Sequence, residues 1–144
     1  MSASTKLSSS VKALCFLAET YPIPKSSKEI AEHTGVNASK LRQLLSMIAK
    51  SKIVNSEQGT KGGFLLSKDP KTIHLQEIYC SIEDRKAFHL DVTKNNGKKG
   101  KKNPDYTKYF LGLFSEIQVD IENKMKNISL SDIMKNLNMK INYK

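Results

Sequence analysis

Residues 27–50 read SKEIAEHTGVNASKLRQLLSMIAK and contain two short helical patterns on either side of a glycine. Apolar spacing predicts one helix over residues 28–34 and a second over residues 38–50. Between them, Gly35 can adopt the left-handed backbone conformation of a tight turn, and Asn37 can cap the second helix. Two helices joined by a glycine-containing turn of about three residues have the spacing of a helix-turn-helix, which ordinary helical hairpins also use.

A β-hairpin is predicted directly after these helices. Residues 53–56 and 64–67 have the composition of short strands, and the segment between them has three glycines around one lysine. A hairpin at this position is typical of the wing of a winged helix-turn-helix. Because the loop has little side-chain bulk, Lys61 and the backbone N–H groups can approach a phosphate closely. The alternative is a hairpin that merely closes the core.

Helices are also predicted on both sides of this unit. The pattern over residues 8–21 predicts an N-terminal helix with an N-cap among the serines of residues 8–10, and residues 75–83 predict a helix after the hairpin. One cysteine lies in each of these stretches. We expect both Cys15 and Cys80 to be buried core groups, with a redox switch as the alternative.

The longest helical pattern covers residues 105–127 and carries one broad apolar stripe. A head already closed by three helices and a wing has little core left to receive so wide an apolar face. We therefore predict that this helix packs against its symmetry mate in a homodimer, the alternative being that it folds back on its own head. The predicted dimerisation residues are Tyr109, Phe110, Leu113, Phe114, Ile117 and Ile121.

Two hexapeptides in the sequence resemble each other, IHLQEI at residues 73–78 and ISLSDI at residues 128–133. In both, a polar residue precedes leucine and an acid lies three positions after that polar residue, as in a capping box. Ser129 is a good N-cap and His74 is a poor one. We interpret the repeat as local helix-start chemistry, which predicts a final helix after Ser129.

The chain of 144 residues is strongly basic, with 24 lysines and arginines against 14 acids and a formal net charge of +10. Such an excess favours a polyanionic partner, because each neutralised phosphate releases condensed counterions, although a lysine-rich proteome would also produce it. Residues 85–104 are polar and lysine-rich, and we predict a mobile loop there because they have too few apolar groups to order it. The predicted organisation is a DNA-binding domain over 1–84, this loop over 85–104, and the dimerisation and C-terminal helices over 105–144.

Composition also excludes several classes of function. No apolar run reaches the roughly 18 residues that span a membrane, and the N-terminus lacks a secretory signal, so we expect a cytoplasmic protein without membrane contact. The two cysteines are far apart and the sequence has no Cys/His cluster, so we predict no metal ion and no cofactor. No nucleophile–base arrangement indicates an enzyme, and the aromatic residues concentrate on the long helix instead of forming an RNA-stacking surface.

Four of these motifs together resemble the Rrf2 family of bacterial transcription regulators. They are KEIA at residues 28–31, KLRQLL at 40–45, GTKGGFLL at 59–66 and IHLQEI at 73–78. The glycine-rich wing is the most specific of them. The resemblance implies a homodimer held by the long helix, which reads a near-palindromic operator and usually represses.

The resemblance also bears on cofactors and on base readout. Several family members hold an iron–sulfur cluster with three cysteines in the loop before the long helix, but the corresponding residues 87–104 contain no cysteine. Members with a cluster tend to carry an acid where this chain has Arg42 and an arginine where it has Gln58. We therefore predict a cluster-free member to which their base preference does not transfer.

We predict that the second helix of the helix-turn-helix enters the major groove of double-stranded DNA. Arg42 suits guanine and Gln43 suits adenine at the base edges. Ser39 and Lys40 suit phosphates, and Lys61 suits the backbone at the minor groove. The alternatives are an ordinary solvated helix face, and a winged-helix adaptor that binds proteins without binding specific DNA. The predicted DNA-binding residues are Ser8, Ser9, Ser39, Lys40, Arg42, Gln43, Ser46, Thr60, Lys61 and Gly62.

Overall fold

The structure is a computed structural model that describes residues 2–83 and 104–144. In chain order its elements are α1 (Ala3–Thr20), α2 (Ser27–Thr34), α3 (Ala38–Lys50), β1 (Val54–Glu57), β2 (Gly63–Leu66), a 3-10 turn (Pro70–Thr72), α4 (Leu75–Ile82), α5 (Tyr106–Lys126) and α6 (Leu130–Asn136). The predicted fold class, a mainly α-helical chain with a small β-hairpin, is confirmed. The predicted lysine-rich loop lies outside the described residues, apart from Pro104. Within the described ranges, none of the helices has the length and hydropathy needed to cross a membrane.

α1 begins earlier than the sequence pattern predicted, because its N-cap is Ser2. The Ser2 Oγ accepts a hydrogen bond from the Thr5 N–H at 3.2 Å. The serines of residues 8–10, which we predicted as N-caps, instead lie inside the helix. Ser10, for example, donates its hydroxyl hydrogen to the Lys6 carbonyl at 2.8 Å, a bond that lets serine occupy a helix interior.

α2 and α3 form the predicted helix-turn-helix. Gly35 has a φ of +76° and donates its N–H to the Ala31 carbonyl at 2.9 Å, which closes the end of α2. The Oδ1 atom of Asn37 accepts hydrogen bonds from the N–H groups of Ser39 and Lys40, at 2.9 and 3.2 Å. Asn37 is therefore the N-cap of α3, as predicted, and the start of α3 is fixed relative to the turn.

β1 and β2 form an antiparallel hairpin in which Val54 pairs with Leu66. Strand β2 of this hairpin is tied, near its turn, to the chain that leads into α2. Lys25 and Phe64 exchange two backbone hydrogen bonds, of 3.0 and 2.7 Å. Only glycine fits at Gly63, because a Cβ there would overlap the Lys25 backbone. The hairpin and the helix-turn-helix are thus joined by backbone contacts as well as by side-chain packing.

One hydrophobic core joins α1, α2, α3, α4, α6 and the hairpin. Its largest fully buried side chains are Leu14, Leu17, Ile30, Leu41, Leu45, Ile48, Ile53, Leu66, Ile73, Ile78, Leu130 and Met134. Burial of one side chain of this size contributes about 1.5–3 kcal/mol, so this set is the main favourable contribution to folding. Because α6 provides Leu130 and Met134, the chain that follows α5 returns to the head and completes its core.

The two hexapeptides that resemble each other lie side by side. An antiparallel bridge joins His74 to Ser129, and backbone hydrogen bonds of 2.8 and 2.9 Å flank it. Ser129 and Asp132 form a complete capping box, whereas His74 makes no side-chain capping bond, as the sequence predicted. The pairing holds the starts of α4 and α6 together.

The two cysteines differ in their environment. Cys15 is buried on α1, and this burial, together with the nearby Glu19 carboxylate, raises the pKa of its thiol to about 12. The prediction of a buried cysteine is therefore confirmed for Cys15. It is wrong for Cys80, which lies on the outward side of α4 and is exposed, with its sulfur accepting a hydrogen bond from Gln76 at 3.3 Å.

α5 packs against α4 and buries Gln118 and Met125. The C-terminal part of α5 therefore folds back on the head of its own chain, which was the alternative to packing in a dimer. Its N-terminal turns remain outside the core, where Tyr106 and Tyr109 are 61% and 65% exposed. The apolar stripe of α5 is thus divided between a covered end and an open end.

Candidate nucleic-acid interface

α3 has a buried apolar stripe on one side and exposed polar side chains on the other. The stripe that faces the core consists of Leu41, Leu44, Leu45 and Ile48, each 3% exposed or less. The opposite side is exposed and carries Ser39, Lys40, Arg42, Gln43 and Ser46. The structure therefore brings five of the predicted DNA-binding residues together on one solvent-facing surface, which we call the α3 face.

The cap of α3 limits how the α3 face can contact a phosphate. Because the Asn37 side chain accepts hydrogen bonds from the N–H groups of Ser39 and Lys40, those two backbone donors are occupied. The side chains of Ser39 and Lys40 remain exposed and can act as donors. Side chains must therefore make any phosphate contacts at this end of the helix.

The cationic groups of this surface are available to a ligand. Lys40, Arg42 and Lys61 form no ion pair with any residue in 2–83 or 104–144. Other lysines of the head do pair with acids, as Lys25 does with Glu29 at 3.4 Å. Cations that lack an acidic neighbour keep their full attraction for a polyanion.

The wing presents a narrow tip. Thr60 and Lys61 are exposed there, and the Gly62 N–H donates to the Gly59 carbonyl at 3.0 Å to close the turn. A Cβ at Gly62 would overlap the Glu57 carbonyl oxygen, so a larger residue would force the turn open. Gly62 thus shapes the tip, while Thr60 and Lys61 supply the side chains that can reach a ligand.

The two serines predicted on α1 have different positions. Ser8 is exposed, and its hydroxyl donates to the Thr5 carbonyl at 3.1 Å. Ser9 is only 4% exposed, so its prediction as a DNA-binding residue is wrong. The sequence contained the relevant signal, because Ser9 lies four residues before Ala13 and eight before Leu17, which share the buried side of α1.

A second exposed surface lies on α5, and it is apolar. Its open end carries Tyr106, Tyr109, Phe110 and Leu111, which are 61%, 65%, 40% and 47% exposed. The rings of Tyr109 and Phe110 meet edge to face at 5.6 Å. Phe110 also stacks on Phe114 at 5.5 Å, so these rings are ordered against one another.

The predicted dimerisation residues on α5 differ in their exposure to solvent. Tyr109 and Phe110 are exposed, whereas Leu113, Phe114, Ile117 and Ile121 are half-buried. Sequence reasoning also missed two exposed apolar residues outside the stripe, Leu111 and Val119, at 47% and 52%. We call the open aromatic and aliphatic surface around Tyr109 and Phe110 the α5 face.

Comparison with known proteins identifies the family. Residues 3–136 match the family model described as "Rrf2: Iron-dependent Transcriptional regulator". The chain belongs to the Rrf2 family. Members of this family are DNA-binding transcriptional regulators, and the fold described above is their winged-helix fold.

Individual relatives agree with this assignment. The HTH-type transcriptional regulator IscR of Klebsiella pneumoniae (strain 342) is 30% identical over 118 residues, which cover 82% of this chain and 68% of the relative. The structure of T. potens IscR has a TM-score of 0.70 at 25% identity and covers 95% of this chain and 88% of that chain. CymR, the global cysteine regulator of B. subtilis, has the same TM-score at 22% identity, over 94% of this chain and 98% of its own, and shows the shared fold.

The iron in the family description requires ligands, and the residues of this chain do not fit a cluster held by three cysteines. The whole sequence has two cysteines. They lie on different helices, with Cys15 buried on α1 and Cys80 exposed on α4. Among the described residues, no group of three or more His, Cys, Asp or Glu side chains is placed to hold a metal ion.

Proposed function

We propose that this Rrf2-family protein is a homodimeric repressor that binds a near-palindromic operator. The observation that carries the proposal is the α3 face, a polar and cationic surface on the second helix of a helix-turn-helix, whose cations have no acidic partner among the described residues. A helix of this kind fits the major groove, where each base pair presents a distinct pattern of donors and acceptors. Repression is what the family resemblance implies.

Each residue of the α3 face has a role in this proposal. Arg42 donates two hydrogen bonds to guanine, and Gln43 pairs with adenine. Ser39, Lys40 and Ser46 flank them and bind phosphates through their side chains, which fixes the register of the helix without reading sequence.

The wing and α1 extend the contact beyond the α3 face. Lys61 and Thr60 at the wing tip reach the backbone along the minor groove, because the glycines around them leave the tip narrow. Ser8 on α1 contributes a further phosphate contact once its exposed hydroxyl turns its hydrogen from the Thr5 carbonyl to the phosphate. Ser9 has no part in the interface, since it is buried.

The α5 face supports the proposal of a homodimer. Large aromatic side chains that are 40–65% exposed on one helix are costly to leave in water and are typical of a buried interface. A twofold axis through this surface would let one copy of α5 cover the other. Two α3 faces related by that axis match the symmetry of a palindromic operator.

The experiment that tests this proposal compares Arg42→Ala with the wild-type protein on a duplex selected from a random library. Fluorescence anisotropy should show a loss of about 1–3 kcal/mol, or about five- to 150-fold in affinity, together with a relaxed preference at one base position. Lys124→Ala removes one exposed positive charge from α5 and serves as the control, which should keep the base preference.

Two results would contradict the proposal. A loss below about 1 kcal/mol with an unchanged base preference removes Arg42 from direct readout. Equal affinity of the wild-type protein for every duplex, even at low salt, indicates instead a winged-helix adaptor that does not read DNA sequence.

A further inference from the structure

A pocket of about 230 Å³ lies where α1, the end of α2 and the chain after α6 meet. Its apolar wall comes from Val11 on α1 and from Leu137 and Met139 after α6. The Cys15 thiol, which burial keeps neutral, also faces this space. Most of the lining is therefore apolar, as in pockets that bind small molecules.

Two polar side chains, those of Lys12 and His33, can donate hydrogen bonds to a ligand in the pocket. Lys12 and His33 line it and are both exposed at its opening, and the Thr34 hydroxyl lines it as well. The His33 ring is held in place by stacking on Phe16, with ring centroids 4.1 Å apart and an angle of 13° between the planes. None of the described residues that line the pocket is an acid, although the Glu19 carboxylate lies near Cys15 on α1. Within the lining, Lys12 supplies a positive charge and His33 a hydrogen-bond donor for an anionic group.

The pocket borders the turn of the helix-turn-helix. His33 and Thr34 are the last residues of α2, directly before Gly35. The Thr34 hydroxyl donates to the Ile30 carbonyl at 2.7 Å and accepts the Val36 N–H at 3.3 Å, so it connects the end of α2 to the turn. A molecule that contacts Thr34 therefore acts on the segment that positions α3.

The opposite wall of the pocket belongs to the C-terminal segment, which is fastened to α1. The Asn142 N–H donates to the Ala18 carbonyl at 3.1 Å, and its side-chain amide donates to the Glu19 carbonyl at 2.5 Å. The rings of Tyr143 and Tyr21 pack at 4.6 Å. The pocket is thus bounded by fixed elements on two sides, and the helix-turn-helix forms the third.

We propose that this pocket binds a small monocarboxylate with an apolar tail, and that its occupation changes the DNA affinity of the protein. The tail lies against Val11, Leu137 and Met139, and the carboxylate meets Lys12 and His33. The volume admits a ligand of about ten non-hydrogen atoms, such as a medium-chain fatty acid. The effect on DNA rests on the proposed function, whereas the binding site itself does not.

Octanoate and its neutral analogue octanamide are the probes for the test. Amide NMR spectra of the full-length protein, recorded during titration with octanoate, should show saturable shifts at Thr34, Gly35 and Val36. Octanamide should bind more weakly, because it keeps the tail and lacks the charge. Shifts confined to α5, no saturable shifts up to millimolar octanoate, or equal affinity for octanamide would overturn the proposal.

Substitutions at two exposed residues test the contributions of the ligand's charge and of its apolar tail separately, and neither should unfold the protein. Lys12→Ala should weaken octanoate about two- to fivefold and leave octanamide unchanged, because an exposed charge pair contributes little in water. Leu137→Ala should weaken both probes at least about threefold by removing apolar wall. Lys135→Ala on α6 removes a charge outside the pocket and should change neither. Octanoate affinity that is the same in all three variants would overturn the assignment.

The effect on DNA is measured separately. Saturating octanoate should change the affinity of the wild-type protein for its selected duplex at least about threefold, and Leu137→Ala should reduce that response at the same octanoate concentration. Octanoate that binds without changing DNA affinity overturns the regulatory part of the proposal. A protein that binds octanoate but no duplex under any condition contradicts the proposed function and leaves the pocket assignment intact.

Discussion

α3 and α5 are both amphipathic helices, yet they leave opposite faces in solvent. α3 buries its whole apolar stripe in the head, so that a polar and cationic surface remains. α5 buries Gln118 and Met125 but keeps Tyr109 and Phe110 at 65% and 40% exposure. The difference indicates two kinds of partner, because a cationic face suits a polyanion and an aromatic face suits another protein surface.

The comparison of α3 with α5 also shows which part of the chain buries its own apolar surface. The head has a continuous core that runs from α1 to α6. α5 is joined to this core at one end and has no cover at the other within the described residues. We therefore expect substitutions on the inner side of α3 to affect folding, and substitutions on the α5 face to affect assembly.

The largest effect is expected from Leu45→Ala, which breaks the inner side of α3. Leu45 is fully buried, so its truncation should lower the free energy of unfolding by about 2–5 kcal/mol. Urea denaturation measures the change. Leu137→Ala is the matched control at 60% exposure, and it should cost less than about 1 kcal/mol. Similar costs for the two variants would mean that the core is misplaced.

Phe110→Asp tests the α5 face. A charge in the centre of the aromatic surface should weaken dimerisation by about 2 kcal/mol or more, which is at least about 30-fold, while the head stays folded. Analytical ultracentrifugation measures the association. Asn123→Asp places the same charge at an exposed position near the other end of α5, away from the aromatic surface, and should leave the association unchanged. A Phe110→Asp protein that dimerises like the wild type would exclude this face from the interface.

Asn37→Ala tests the cap that fixes the start of α3. Loss of the two hydrogen bonds that Asn37 accepts should lower the free energy of unfolding by about 1 kcal/mol. Differential scanning calorimetry detects the lower Tm. Asn55→Ala on β1 removes an exposed asparagine without a capping bond and should change the Tm much less. An equal decrease in Tm for the two variants would show that Asn37 does not stabilise α3 as a cap.

The smallest effect concerns the capping box of α6. The Ser129 backbone and hydroxyl groups, which hydrogen-bond to Asp132, lower the pKa of its carboxyl group. Because the pKa is lower in the folded state than in the unfolded state, the stabilisation is present above about pH 4 and is lost as the pH falls through the folded-state value. Tm measured from neutral pH to pH 3 should therefore fall slightly more for the wild type than for Asp132→Asn. Parallel curves would show that this linkage is absent.

Local features of the fold were predictable because they depend on neighbours in the sequence. The apolar spacing of α3 identified its buried stripe, and Gly35 and Asn37 identified the turn and the cap. Ser9 was also readable in principle, since its spacing from Ala13 places it on the buried side of α1. We misassigned it because a serine near a helix start resembles a cap.

Other features depend on contacts that are distant in the sequence. The bond pair between Lys25 and Phe64 and the bridge between His74 and Ser129 require the folded chain, and no local pattern predicts them. Cys80 has apolar neighbours in sequence but lies on the outward side of α4. The pocket beside Lys12 likewise arises only when the C-terminal segment returns to α1.

Selection of duplexes from a random library by the wild-type protein tests the central claim most directly, that two α3 faces bind DNA as a symmetric pair. The expected result is an enriched sequence with twofold symmetry, whose half-site centres lie about 10 base pairs apart or a multiple of that spacing. Enrichment of a single unsymmetric half-site, or no enrichment at low salt, would contradict the account.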